Sequence, residues 1–335
     1  MKLPPILAER LANDPLHCID VGARGGMQRH WRRFAELLHI DLFEPDEAAC
    51  RREAEQNRPG ESWFPVALGG HTGTGKLHVL KKPSGSSLYP PNDPIMLRFS
   101  ASSYGALDKV LDVPLMSLSD FIDKHQRPLP NLIKLDVQGA ELDILRAVRP
   151  EHWQNVIAVQ AEVEFVEFYR GQPLFAEVDG FMRAHNFALF DLLPVRSYRF
   201  DADQSHGLMR RHLNLVKNRR DISCRLIAGD AFYLRPTEDV LASGDLALAL
   251  KLFVILLIYR FLDEALFLAE ALHKQDRLKA ADAEALIAIV KAVAPSPLLV
   301  QRADAIGRIA RKIRKALGFG RARRIDYWLD RSWDF

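Results

Sequence analysis

Acidic residues stand at the ends of three apolar runs, and their order along the chain points to a single chemistry. In Leu132 to Leu145, LIKLDVQGAELDIL, an apolar strand ends on Asp136, turns on a glycine and enters a helix, which projects Asp136 from the carboxyl edge of a sheet. Open α/β sheets bind ligands at that edge. Upstream, His17 to Gly26 (HCIDVGARGG) and Ile40 to Asp46 (IDLFEPD) repeat the pattern. Gly22 and Gly26 allow a tight turn and close approach of backbone to a ligand, while Asp20 ends its strand. Glu44, 24 positions after Asp20, ends the next strand, where a carboxylate can accept both hydroxyls of a ribose. These junctions describe a nucleotide-type cofactor site. Its glycine turn reads G-A-R-G-G in place of the dinucleotide pattern G-x-G-x-x-G, so a nucleoside cofactor without a pyrophosphate fits better. S-adenosyl-L-methionine is that cofactor.

The elements that must position these acids alternate between short strands and helical segments from residue 17 to 235. This predicts an α/β fold with a mostly parallel, doubly wound, Rossmann-like sheet. Strands are expected near 17–21, 39–43, 62–68, 132–136, 156–163, 187–192 and 229–234. A first helix after Gly26 would carry Trp31, Phe34, Leu37 and Leu38 inward. The stretch from Gly69 to Pro94 is rich in Gly, Pro, Ser and Asn, which predicts a hairpin around 76–80 and then an exposed loop able to shape a substrate site. After Pro236 the pattern becomes helical through Leu317. Thr237-Glu238-Asp239 reads as an N-cap with early acids, and Ser296-Pro297 as a break. Two regions are therefore expected, residues 1–236 and an α-helical 237–335.

Composition excludes several classes. The 335 residues are 48% apolar and 27% charged, and a net charge of +3 from 46 basic and 43 acidic residues gives no argument for nucleic acid. Cys18, Cys50 and Cys224 have neither the even count nor the spacing of a disulfide framework or zinc site, which suits a reducing compartment. The amino terminus lacks a secretory signal, so the cytoplasm is the expected location. Leu246 to Tyr259, LALALKLFVILLIY, is interrupted by Lys251 and falls short of the about 20 apolar residues that span a bilayer. It reads as a buried or oligomer-forming helix. Residues 307–335 combine Ile309, Ile313 and Leu317 with many Arg and Lys and with Tyr327, Trp328 and Trp333. That pattern fits either a solvated helix or one lying on an anionic membrane at the inner face.

The chain resembles the FkbM-type methyltransferases, a family of class I S-adenosylmethionine-dependent enzymes. Its D-V-G-A-N-x-G signature matches Asp20 to Gly26, with Arg24 in place of Asn, and a second matches Phe43-Glu44-Pro45. I-K-x-D-V-E-G-x-E matches Ile133 to Glu141, with Gln138 in place of Glu. Weaker echoes include Val66-Ala67-Leu68, Ser86-Ser87-Leu88, Leu118 to Ile122 and Gly229 to Leu234. The resemblance covers about residues 15–235. It implies cofactor binding by Asp20, Gly22, Arg24, Gly26, Glu44, Ala67 and Asp136, and acceptors that are hydroxyls of saccharides, glycolipids or related natural products. Arg24 would meet the carboxylate of the cofactor, which an arginine can pair bidentately.

Methylating a hydroxyl requires a group that takes its proton. Asp136 could orient the methionine amine or the acceptor hydroxyl. Gln160, Glu162 and Glu164 alternate onto one face of the following strand, and Glu162, then Glu164, then His185 are the candidate bases. Glu141, in the first turn of a helix, reads as structural. No spaced His or Cys cluster suggests a metal, and Mg²⁺ on Asp136, Glu162 and Glu164 is the lesser alternative. The expected function is O-methylation. N-methylation of an amino sugar or small amine, and a catalytically inactive methyltransferase-like binding module, are the competing readings.

Overall fold

The computed structural model describes residues 3–98, 106–192, 196–197 and 226–294. In chain order the first half holds α1 (Pro5–Leu11), β1 (Leu16–Val21), β2 (Leu38–Phe43), α2 (Glu47–Ala54), β3 (Glu61–Phe64), β4 (Ala67–Leu68), β5 (Gly73–Leu80), α3 (Asp93–Arg98), β6 (Leu107–Met116) and α4 (Leu118–His125). The second holds β7 (Leu132–Leu135), α5 (Glu141–Arg146), β8 (Ala158–Glu164), α6 (Phe175–Ala184), β9 (Ala188–Leu192), β10 (Arg196–Ser197) and β11 (Leu226–Leu234). Four helices follow: α7 (Thr237–Ala242), α8 (Leu246–Ile258), α9 (Leu262–Lys274) and α10 (Ala280–Val293). An eight-stranded sheet runs β3-β2-β1-β7-β8-β11, with β9 and β10 both pairing β11. The strands from β3 to β8 are parallel, and β11 is antiparallel to β8. The mostly parallel sheet is Rossmann-like, as expected.

The central strands are apolar on both faces because helices cover both, as parallel sheets require. Ile19, Val21, Ile133, Leu135, Val159 and Ala161 pack beneath α4, α5 and α6. Their neighbours Leu16, Cys18, Leu42, Leu132, Ala158 and Phe232 share one apolar cluster with α8, α9 and α10. The helices after 236 therefore build one of the two layers over the sheet. In α8 every residue from Ala249 to Ile258 is buried, including Lys251, whose ammonium meets Asp14 at 2.6 Å. Of the two readings of Leu246 to Tyr259, the buried helix is the observed one. Among the described residues no helix is long and apolar enough to cross a membrane.

Predicted strands in the main sheet lie within three residues of observed ones, and four expectations change. The helix after Gly26 is a 3-10 helix, Arg32–Leu37, preceded by the turn at Gly25 and Gly26, both at positive φ. Trp31, Phe34 and Leu37 are nevertheless buried and Leu38 begins β2. The strand at 62–68 is two strands in different sheets, divided at Pro65, which cannot donate to a ladder. The hairpin at 76–80 is instead the long strand β5, paired antiparallel with β6 in a small β4-β6-β5 sheet. β6 carries no alternation because most of its side chains are exposed. Thr237 is not the cap of α7. Pro236 holds that position, and the Thr237 hydroxyl donates to Glu264 at 3.0 Å. The Ser296-Pro297 break, Cys224 and the basic tail 307–335 lie outside the described residues.

Candidate functional site

The carboxyl ends of β1, β2 and β7 are locked together at Gly22. Its N–H and that of Ala23 both donate to the carbonyl of Phe43, at 3.1 and 3.0 Å, while Asp136 N–H donates to Val21 at 3.1 Å. Gly22 has φ +82°, and a Cβ there would stand 2.0 Å from the carbonyl oxygen of Asp136. Only glycine lets three strand ends meet so closely. Gly26, also at positive φ, lies against Arg58 and Glu53. Its N–H donates to the Ala23 carbonyl at 3.0 Å, so it closes the turn that Gly22 opens.

Below this edge lies a chain of charge. Lys134, on β7, places its ammonium 3.0 Å from Asp20 and 3.9 Å from Asp136. Asp20 is wholly buried, whereas the side chain of Asp136 is 40% exposed at the edge. Burial pushes the Asp20 carboxyl up, and Lys134 beside it pulls it back down. Burial works against the Lys134 ammonium, but Asp20 and Asp136 outweigh it, so the lysine holds its proton more tightly than a free one. Asp20 thus lies buried below the edge, paired with Lys134, with its pKa still raised on balance.

Glu44 follows β2 and is buried apart from one accessible oxygen. Its Oε1 accepts from Asp46 N–H at 2.9 Å, and among the described residues Oε2 has no hydrogen-bond partner. Burial raises its pKa, while the Asp46 N–H and the charge of Arg24 lower it. Arg24 donates to Asp46 at 3.3 Å. Its guanidinium therefore stands beside Asp46 and Glu44. Ala67, half-buried, lies just past the end of β3 and pairs with Leu115.

Beyond Asp136 the turn is held from within. Glu141, fully inside, accepts from the N–H groups of Val137 and Gly139 at 2.7 and 2.9 Å, and burial pushes its pKa up to about 7. Its structural role is as expected. Gln160, Glu162 and Glu164 are buried on the face of β8 that α8 covers. Gln138 Nε2 donates to Asp136 Oδ1 at 3.0 Å and to Glu162 Oε2 at 2.6 Å, so two of the candidate catalytic acids share one amide. Glu164 lies one pleat farther along, opposite Ala228. His185 caps the carboxyl end of α6 and packs on Trp153, which precedes β8. That is the amino edge of the sheet, away from the acids, so His185 is not a candidate base.

Several site residues escaped the sequence reading. Asp230 on β11 lies opposite Glu162 and adds its charge to the field at Lys134. Tyr259, at the end of α8, accepts from Trp31 Nε1 at 3.1 Å and donates to Gln160 at 2.9 Å, two residues before Glu162. The expected exposed loop is instead fastened across the edge. Asn92 N–H donates to Phe168 at 2.8 Å, Arg170 N–H to Pro90 at 2.8 Å, and the Tyr169 hydroxyl to Gly85 at 2.7 Å. Beside it opens a cavity of about 450 Å³ lined by Gly70, Leu88, Tyr89, Asp143 and Arg146. Among the described residues no group of three or more His, Cys, Asp or Glu has the geometry to hold a metal ion.

This edge, with its glycine lock and its row of acids, falls within residues 20–189, just over half of the chain, which match the family model of the methyltransferase FkbM domain. The chain belongs to the FkbM methyltransferase family. A crystal structure of methyltransferase FkbM from Methylobacillus flagellatus KT is 13% identical, with a TM-score of 0.33 over 66% of this chain and 44% of that one. The chain spans less than half the length of that protein. No curated protein matches it. The FkbM match begins at Asp20 and ends within β9, so it takes in Gly22, Glu44, Asp136, Gln138 and Glu162 and excludes α8 and Tyr259.

Proposed function

We propose that this FkbM-family protein is an S-adenosylmethionine-dependent O-methyltransferase acting on a hydroxyl of a saccharide, glycolipid or related natural product. One observation carries the reading: Glu44, the Gly22 lock and the Asp136–Gln138–Glu162 cluster stand in order along one carboxyl edge. The residues fit a nucleoside cofactor. Glu44 Oε2 is available to a ribose, and Gly22 lets the strand ends that carry Glu44 and Asp136 close onto one edge. Bound there, S-adenosylmethionine would supply an electrophilic methyl group.

The chain supplies the rest. Asp136, open at the edge and paired with Lys134, is suited to orient a polar group that approaches the site. Glu162, 3% exposed and fixed by Gln138, is the favoured acceptor for the hydroxyl proton. Glu164 is the reserve candidate. The fastened segments 85–92 and 167–172 would exclude water from this edge, and the adjoining cavity, with Tyr89 bonded to Asp143 at 2.6 Å, offers room for the part of a polar acceptor that does not react.

Two measurements test the proposal. Titrating purified protein with S-adenosylmethionine and S-adenosylhomocysteine should give binding, and a screen of saccharide acceptors should give methyl transfer to oxygen. No binding of either compound would remove the cofactor assignment. Binding without transfer to any acceptor would favour the inactive module, and transfer only to amines the N-methylation reading.

A further inference from the structure

The Gln138 side chain is engaged at both ends of its amide, and the residue occupies a backbone conformation that costs energy. Its φ is +60°, in the left-handed region that L-residues other than glycine seldom adopt. Both donors of its amide are used, one on Asp136 Oδ1 at 3.0 Å and one on Glu162 Oε2 at 2.6 Å. Its Oε1 shares the single hydrogen of the Tyr169 hydroxyl, at 3.2 Å, with the nearer Gly85 carbonyl, and its backbone carbonyl accepts from the Ser87 hydroxyl at 2.6 Å. One residue therefore ties the end of β7, the middle of β8 and both segments that cross the edge.

Two carboxylates brought to one site repel, and one of them ordinarily keeps a proton. A neutral group that donates to both at once removes that conflict, because each acid sees a hydrogen-bond donor in place of its neighbour's charge. A carboxylate cannot do this. It has no hydrogen to give when ionised, and only one when protonated.

We propose that Gln138 is a positioning residue for proton transfer: its amide holds Asp136 and Glu162 side by side as ionised acceptors, so that one of them is ready to take the acceptor's proton near neutral pH. The inference rests on reading this edge as the methyl-transfer site. The part of it that concerns the two acids can be tested without any acceptor.

The test compares wild-type protein with Gln138→Glu and Gln138→Met. First, urea unfolding is followed from pH 5 to 8. The Gln138→Glu protein should fall behind wild type as pH rises, its folding equilibrium constant losing at least a further tenfold over that range, as a further carboxylate joins Asp136, Glu162 and Asp230 around the single Lys134 ammonium. Parallel curves for the two proteins would overturn the proposal, whatever the activity. Second, methyl transfer to a saccharide acceptor found by screening is measured against pH. The acidic limb for Gln138→Glu should move up by at least one pH unit, while affinity for S-adenosylhomocysteine stays within threefold of wild type. Gln138→Met guards against misfolding of the charged variant: it should turn over at least tenfold more slowly at pH 7. A Met variant with wild-type turnover would also overturn the positioning role. Failure of wild-type protein to bind S-adenosylhomocysteine would sink the functional reading alone, because the urea comparison still decides whether Gln138 keeps the two acids ionised side by side.

Discussion

The ammonium of Lys134 stands 3.0 Å from Asp20 and 3.9 Å from Asp136, so one buried cation serves an acid in the wall of the site and an acid at its edge. Removing one partner of a buried ion pair strands the other, whereas removing both costs far less. Lys134→Met should therefore destabilise the protein by about 3–5 kcal/mol, and adding Asp20→Asn should recover a substantial part of the loss. Urea unfolding of the two single variants and the double variant reads the coupling. Additive losses would mean that the two charges do not depend on each other.

Gly22→Ala should be among the most damaging single changes in the chain. The added methyl would stand 2.0 Å from the Asp136 carbonyl, and φ +82° is strained for alanine, so strand ends must part. A loss of about 3 kcal/mol or more is expected, the range of backbone conflicts in a packed site. A thermal midpoint within two or three degrees of wild type would show that the lock has slack.

Glu44→Ala should leave the fold intact and weaken S-adenosylmethionine at least tenfold. A carboxylate accepting from hydroxyls contributes about 1.5–3 kcal/mol. Calorimetry with unchanged affinity in a well-folded variant would take Glu44 out of the cofactor site.

Asp136→Asn preserves an oxygen to accept from Gln138 and removes the charge beside Lys134. Turnover should fall to background even at saturating cofactor, since orientation of the reacting group depends on that charge. Near-normal turnover would refute a central role for Asp136.

Glu141 makes stability depend on pH in a definite direction. Its folded pKa of about 7 lies above the 4.5 of an ordinary glutamate, so the folded state binds the proton more tightly. The stabilisation is then complete below about pH 4.5 and fades as pH rises through 7, a swing of up to about 3 kcal/mol. Glu141→Gln, which loses one of two acceptors for the turn N–H groups, should be less stable than wild type by about 1–3 kcal/mol at pH 5. The gap should narrow toward pH 8. A gap that widens with pH would show that the two N–H groups, and not burial, dominate the carboxylate.

Asp136 and Glu44 were legible in sequence because each follows a buried strand, and a strand buried on both faces leaves a nearly uninterrupted apolar run. Glu162, inside β8, was legible through the alternation of Gln160, Glu162 and Glu164. Lys134 was hidden for the same reason: it interrupts such a run, and no local pattern tells a paired buried lysine from a surface one. The contact of Arg24 with Asp46 was not legible, because it lies across a turn whose geometry the glycines set. β6 was missed because a strand with an exposed face shows no alternation, and its pairing with β5 is a tertiary fact. The hydrogen bonds of Tyr259 and Tyr169 join residues 99 and 31 positions apart, beyond the reach of any periodicity.

The short 3-10 connection between β1 and β2 leaves α8 to cover one face of the central strands, and α8 is encoded more than 220 residues after β1. During synthesis at about 5–20 residues per second, roughly ten to fifty seconds separate the appearance of the strands from that of their cover. Throughout that interval Leu16, Cys18, Leu42 and Leu132 belong to a nascent sheet with one apolar side still open. The sheet can complete its folding only once the chain is made well past Ile258, and truncations ending near residue 236 should accumulate as aggregates even though they retain every acid of the site.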